Sequence, residues 1–341
     1  MVSHDATLRQ TVNDAPSSLA EVATISGVDE ADLARYGLAS STSRSRINGG
    51  FVRIGVVFPQ NEIGADAGAI RAYGQRVEEL GFSHVLAYDH VVGADPAAHQ
   101  GWNGPYDVAA TFHEPMVMFG FLASLTGLEL VTGVIILPQR QTVLAAKQAA
   151  EVDLLTGGRF RLGVGLGWNR VEYEALGKDF TDRGRRMAEQ VALLRRLWTE
   201  PTVTFAGEYE RVTGAGLAPM PVQRPIPIWF GGQSRPAYVR AGQLGDGWFP
   251  QVPPGPRLDE ARAVVEQAAA EAGRDPAVLG MEGRVSWREG GLPTLTEHVR
   301  RWRAAGASHV SVNTMGAGLA SVDHHLAVLA DAAEALGVGA G

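Results

Sequence analysis

The sequence predicts an α/β protein: a (β/α)8 TIM barrel with an N-terminal helical extension and an insertion between units four and five. Three observations carry that prediction. From residue 51 on, short apolar runs alternate with helix patterns through eight cycles before the chain ends at residue 341. The runs are near-continuous in apolar residues, as strands buried on both faces require. No GxGxxG follows the first run, which weighs against an open, doubly wound sheet.

Residues 1–50 form the predicted arm and linker, and 51–341 the barrel domain. The arm is rich in Ser, Ala, Asp and Thr. Its Ser18-Leu19-Ala20-Glu21 reads as a capping box that opens one short helix, and 28–34 suggests a second. The pair has a small helix–turn–helix pattern, but its acidic charge speaks against DNA, and packing on the barrel or on a second subunit is expected. Strand one is expected at 51–58, with a helix over 67–80 that stops at Gly81. The next units pair strand 84–88 with helix 115–125, 128–137 with 142–155, and 160–165 with 183–198. Then come 226–230 with 236–244, 247–250 with 258–272, 279–287 with 295–305, and 309–313 with 320–336. Residues 202–222, with a short strand at 203–205, are the insertion. Long loops fall near 93–113 and 251–256.

Composition narrows the function. The formal charge is −7 and no basic run stands out, which disfavours nucleic acid as a partner. Cysteine is absent, so disulfides, thiolate metal sites and thiol catalysis are excluded. Glycine is abundant, 42 of 341 residues, without a collagen period, which points to turns, caps and close ligand approaches. The N-terminus lacks a signal-peptide apolar core, and the apolar stretch 128–138 is far short of the ~20 residues a membrane helix needs. A soluble cytoplasmic enzyme is expected.

In such barrels the chemistry sits at the C-terminal ends of the strands. Strand two is followed by Asp89 and His90, a carboxylate beside an imidazole suited to acid–base work or to holding a cofactor heterocycle. Strand three contains Gly133 and leads to Gln139 and Arg140. Strand four runs into Gly165, Gly167, Trp168 and Asn169, with Glu172 beyond. Strand five ends in Gly231-Gly232-Gln233-Ser234, which reads equally as a phosphate cradle or as a tight turn with an N-cap. His113-Glu114 reads as a helix start, with a place on the pocket wall as the alternative, and His324-His325 as surface residues of the last helix. No HExxH and no His-x-His after strand one are present, so no metal site is expected. Lys147 and Lys178, the only lysines, lie away from strand ends, which disfavours a Schiff-base enzyme. GxSxG is absent.

The ordered set of motifs at 128–138, 146–159, 162–168, 197–198, 227–234 and 245–248 resembles the bacterial luciferase-like oxidoreductases across roughly 51–255, and within them the coenzyme F420 branch. The resemblance implies a barrel, usually a homodimer, holding a flavin or deazaflavin at the strand C-termini. Asp89 and His90 match the family's Asp-His pair beside the reactive ring, with the histidine as acid/base or substrate-orienting group. Gly133 and Val134 match a bulge, often a non-prolyl cis peptide, that backs the ring. Gly231, Gly232, Gln233 and Ser234 match the phosphate-binding turn, and Gly167, Trp168 and Asn169 the pocket wall. Two features depart from the pattern. Tyr88 stands where serine is common before Asp-His, and the N-terminal extension has no family counterpart.

The expected activity is hydride transfer with coenzyme F420 on a small apolar or aromatic organic substrate. The aromatic and proline residues of the long loops, Trp102, Tyr106, Phe112, Pro253 and Pro254, suggest that substrate class. The first alternative is an FMNH2-dependent monooxygenase using O2, with a flavin reductase as partner. A cofactor-free barrel lyase or isomerase acting on a phosphorylated metabolite, and a non-catalytic flavin-binding protein, are the further alternatives.

Overall fold

A computed structural model describes residues 52–287 and 290–339, so the expected arm and linker lie outside the described residues. In chain order the strands are β1 (Arg53–Val57), β2 (His84–Ala87), β3 (Glu129–Thr132), β4 (Ile135–Ile136), β5 (Phe160–Gly165), β6 (Val203–Ala206), β7 (Arg211–Ala215), β8 (Ile228–Gly232), β9 (Gly247–Pro250), β10 (Gly280–Ser286) and β11 (His309–Asn313). β1 pairs in parallel with both β2 and β11, with Arg53 opposite His309 and Val57 opposite Asn313. The sheet continues from β2 through β3, β5, β8, β9 and β10 back to β11, every pairing parallel, and the β3–β5 pairing closes it. β3 and β4 are two halves of one barrel strand, split at Gly133–Val134, whose peptide bond is cis. The molecule is therefore a closed eight-stranded (β/α)8 barrel.

Outside it lie α1 (Gln60–Ile63), α2 (Ala67–Glu79), α3 (Pro115–Ala123), α4 (Thr142–Thr156), α5 (Arg170–Ala175), α6 (Arg183–Thr199), α7 (Arg235–Leu244), α8 (Pro256–Glu271), α9 (Gly291–Ala304) and α10 (Val322–Leu336). Eight of them are the barrel helices, and the short α1 and α5 sit in the loops after β1 and β5. Local chemistry sets several of the ends. Asp66 accepts the Gly68 N–H and starts α2, and Glu114 accepts the Val117 N–H and starts α3, as the helix-start reading of Glu114 expects. The last helix begins at Val322 rather than 320 because Ser321 caps it.

Two expectations need correction. The insertion is an antiparallel hairpin, β6 with β7, rather than one short strand. It is seated on α6 by the buried Glu189, whose carboxylate accepts the N–H groups of Glu208, Tyr209 and Glu210. His325, expected on the surface, is fully buried and shares a 2.8 Å hydrogen bond with Thr314 Oγ1. The apolar face of α10, with Leu329, Ala332 and Ala333, carries it inward.

The barrel interior holds a cluster of charges. Glu282 of β10 meets Arg161 of β5 at 2.7 Å, His84 of β2 at 3.0 Å and the Ser311 hydroxyl of β11. Arg161 also bonds Glu129 at 3.2 Å and lies 4.2 Å over the Trp229 ring. Burial alone would raise the Glu282 carboxyl, but Arg161 and His84 hold it well below its ordinary range.

Candidate active site

A cavity of about 580 Å³ opens at the C-terminal ends of the barrel strands. Most of the residues expected from the sequence line it: Asp89, His90, Gly133, Val134, Gly167, Trp168, Gly231, Gly232, Gln233 and Ser234. Asn169 is a correction. It is buried behind the wall, where its side chain accepts the N–H groups of Val171 and Glu172 and caps α5. His113 is likewise off the cavity, bonded to the Gly64 carbonyl.

The carboxylate that serves His90 is Glu172. Its Oε2 lies 3.6 Å from His90 Nδ1, and the same carboxylate accepts bonds from Gln139 Nε2 at 3.0 Å and from the Val91 and Val92 N–H groups. Burial pushes the Glu172 carboxyl up, yet the bonds from His90, Gln139 and Val91 together bring it below its ordinary range, so it is an anion at neutral pH. Asp89 points elsewhere. It accepts from Arg140 at 2.8 Å and from the Ile136 N–H at 3.1 Å, tying the end of strand two to β4 just beyond the split at Gly133. Adjacent residues of an extended chain face opposite sides, so Asp89 and His90 diverge. Around the imidazole stand Phe112 at 4.7 Å, Tyr106 at 5.4 Å and Trp168 at 5.6 Å between ring centroids, with Trp102 behind Trp168.

On another wall the Val134 side chain sits against bare backbone. A Cβ on Gly165 or on Gly231 would come within 2.5 or 2.9 Å of its methyl groups. Gly232 has φ +150°, which a side chain rarely adopts, and it turns the chain into α7. Ser234 is the N-cap residue of α7 but makes no capping bond with its hydroxyl. Beside this turn Arg183, the first residue of α6, faces the cavity, stacked 3.7 Å over Phe180 and donating to the Phe180 carbonyl. Its Nε is buried with no hydrogen-bond partner. A glycine cradle, a free hydroxyl and an orphaned guanidinium N–H together suit a phosphate, so these residues fit the phosphate end of a flavin or deazaflavin.

On the far wall, Arg284 of β10 donates to the Tyr88 hydroxyl at 2.9 Å and to Gln251 Oε1 at 3.4 Å. Among the described residues it pairs with no carboxylate. Neither Arg183 nor Arg284 stands out when strand ends alone are scanned. Arg183 does leave a sequence trace: Arg183, Arg185 and Arg186 crowd a helix N-terminus, where the dipole disfavours cations. Arg284 leaves none. Among the described residues no cluster of His, Asp and Glu is built to hold a metal ion, and no helix is long and apolar enough to cross a membrane.

The profile of the luciferase-like monooxygenases matches residues 50–290. The chain belongs to that family. Within reach of this luciferase-like protein in sequence is an FMNH(2)-dependent dimethylsulfone monooxygenase of Pseudomonas putida, 30% identical over 207 residues, which cover 59% of this chain and 53% of that one. The chain thus spans about half the length of that relative. An uncharacterized protein of Mycobacterium tuberculosis is 26% identical over 256 residues, 72% of this chain and 87% of its own. In three dimensions, an F420-dependent secondary alcohol dehydrogenase in complex with an F420-acetone adduct superposes with a TM-score of 0.70 at 18% identity, covering 84% of this chain and 99% of that one. That likeness shows a shared fold.

Proposed function

We propose that this luciferase-like protein is a two-electron oxidoreductase that binds a phosphorylated flavin-type ring across its barrel mouth, with coenzyme F420 as hydride carrier. The observation that carries the reading is one cavity joining an anion cradle at Gly231–Gly232–Ser234 and Arg183, whose Nε has no protein partner, to His90 with Glu172 behind it. The bound ring supplies the redox step. Val134 offers it an apolar seat, and Asp89, by holding Arg140 and the Ile136 N–H, keeps that seat in place. His90 exchanges a proton with the substrate while Glu172, on Nδ1, holds the imidazole in one orientation. Tyr106 and Trp168, backed by Phe112 and Trp102, keep water from the reacting atoms and give an apolar or aromatic substrate body a surface.

A second reading, reduced FMN with O2 and a separate flavin reductase, is favoured by the 30% identity to a dimethylsulfone monooxygenase. A cytoplasmic homodimer completes the proposal. Its support is α3, apolar on every side, which leaves Val117 exposed beside α4 with its exposed Val143, Leu144 and Leu155.

Parallel titration of the pure protein with FMN, reduced FMN and F420, followed by fluorescence and calorimetry, tests the cofactor. Tight binding of F420 alone supports hydride transfer, and preference for reduced FMN supports the monooxygenase. Binding of neither rejects both and leaves a cofactor-free barrel enzyme.

A further inference from the structure

The Tyr88 hydroxyl accepts a 2.9 Å hydrogen bond from Arg284. We infer that Arg284, set by Tyr88 and Gln251, is the recognition group for a carboxylate- or sulfonate-type oxyanion on the organic substrate. The inference rests on the oxidoreductase reading for what surrounds the oxyanion, and on the geometry below for the oxyanion itself.

The cavity-lining charges sort into paired and unpaired. Asp89 is neutralised by Arg140, and Glu282 by Arg161. The guanidiniums that line the cavity without a carboxylate among the described residues are Arg183 and Arg284. Arg183, the first residue of α6, lines the cavity together with the glycine turn at the end of β8, and in the proposed function it takes the cofactor phosphate. Arg284 stands on a different wall, on β10, and is left for a second anion.

Its fork is already oriented. A guanidinium has five N–H donors, and two of its nitrogens here each give one, to Tyr88 and to Gln251. The guanidinium carbon lies 5.6 Å from the Tyr88 ring centroid, so the aromatic face as well as the hydroxyl limits its motion. The remaining donors suit the two oxygens of a carboxylate or sulfonate, the pairing for which a planar fork is matched. Tyr88 is two residues before His90. An anion held there lies in the same cavity as Tyr106 and the His90 imidazole.

Methanesulfonate and dimethyl sulfone, nearly the same shape and different in charge, are the probes. Their binding is followed by tryptophan fluorescence and calorimetry in the protein alone and after loading with F420 or FMN, in the wild type and in R284Q, R284K and Y88F. The wild type is expected to bind methanesulfonate about tenfold more tightly than dimethyl sulfone. R284Q erases that preference, R284K and Y88F keep part of it, and the cofactor Kd is unchanged in all three. Equal binding of the two probes by the wild type overturns the inference, and so does a preference that survives R284Q. A loss of cofactor affinity in R284Q also overturns it, by assigning Arg284 to the cofactor. If R284Q fails to fold, R284K and Y88F carry the same comparison, and undiminished preference in both overturns it. A wild type that binds neither cofactor defeats the oxidoreductase reading alone; a preference lost with R284Q in that unloaded protein still supports the oxyanion site.

Discussion

His90 and Glu172 stand 3.6 Å apart with an aromatic wall around them, and the chemistry asked of the pair is distinct for each member. His90 meets the substrate, and Glu172 acts through His90. His90→Ala is therefore expected to lower turnover by about 10²–10⁴ with cofactor affinity and Tm near wild type. Glu172→Gln keeps the shape but removes the charge and replaces one accepting oxygen with a donor, and a smaller loss of roughly tenfold, in kcat more than KM, is expected. Steady-state kinetics beside a melting curve checks both. Wild-type turnover in His90→Ala would remove the histidine from the mechanism.

At the scale of the element, the β6–β7 hairpin depends on one side chain of another element. Glu189 is buried in α6, and burial pushes its carboxyl up even as the Glu210, Tyr209 and Glu208 N–H groups pull it down. Glu189→Ala leaves those three donors without their acceptor, at about 1–3 kcal/mol for each one left dry. The expected result is faster hydrogen exchange at residues 208–210, with the amides of β1, β10 and β11 unchanged. Equal loosening of the barrel strands would show that the hairpin and barrel unfold as one unit. From the sequence only the first strand of this insertion was legible. Val203–Phe205 is apolar and β-branched, whereas β7 carries a glycine and alternates weakly, and the acceptor that seats the turn lies on a distant helix.

The molecule as a whole is braced from inside by the Glu282 cluster, which links β2, β3, β5, β10 and β11. Removing one member of a buried pair strands its partner, so Glu282→Gln is expected to cost about 3–5 kcal/mol at neutral pH. The sign of the pH dependence follows from the lowered carboxyl. The unfolded chain takes up protons at its ordinary 4.5 while folded Glu282 resists them to a lower pH, so this contribution is full above 4.5 and is lost as pH falls through the folded value. His325, buried and pushed down to about 4, acts in the same direction between 6.5 and 4. Urea unfolding from pH 7 to about 3 should show stability falling with acid, and a flatter acid limb in Glu282→Gln. An unchanged limb would remove Glu282 from the balance.

The strand and helix periods, the helix start at Glu114, the glycine turn at 231–232 and the positions of Asp89 and His90 are written in residues close in the chain, and local chemistry suffices to read them. The resemblance then assigned their roles. What the tertiary structure decided is every pairing across the barrel. It gave His90 the carboxylate of Glu172 in place of its neighbour Asp89, turned Asn169 into a cap behind the wall, buried His325, and set Arg183 and Arg284 on separate walls of one cavity. Such contacts join strands far apart in sequence, and a closed sheet fixes them only when all eight strands are in register.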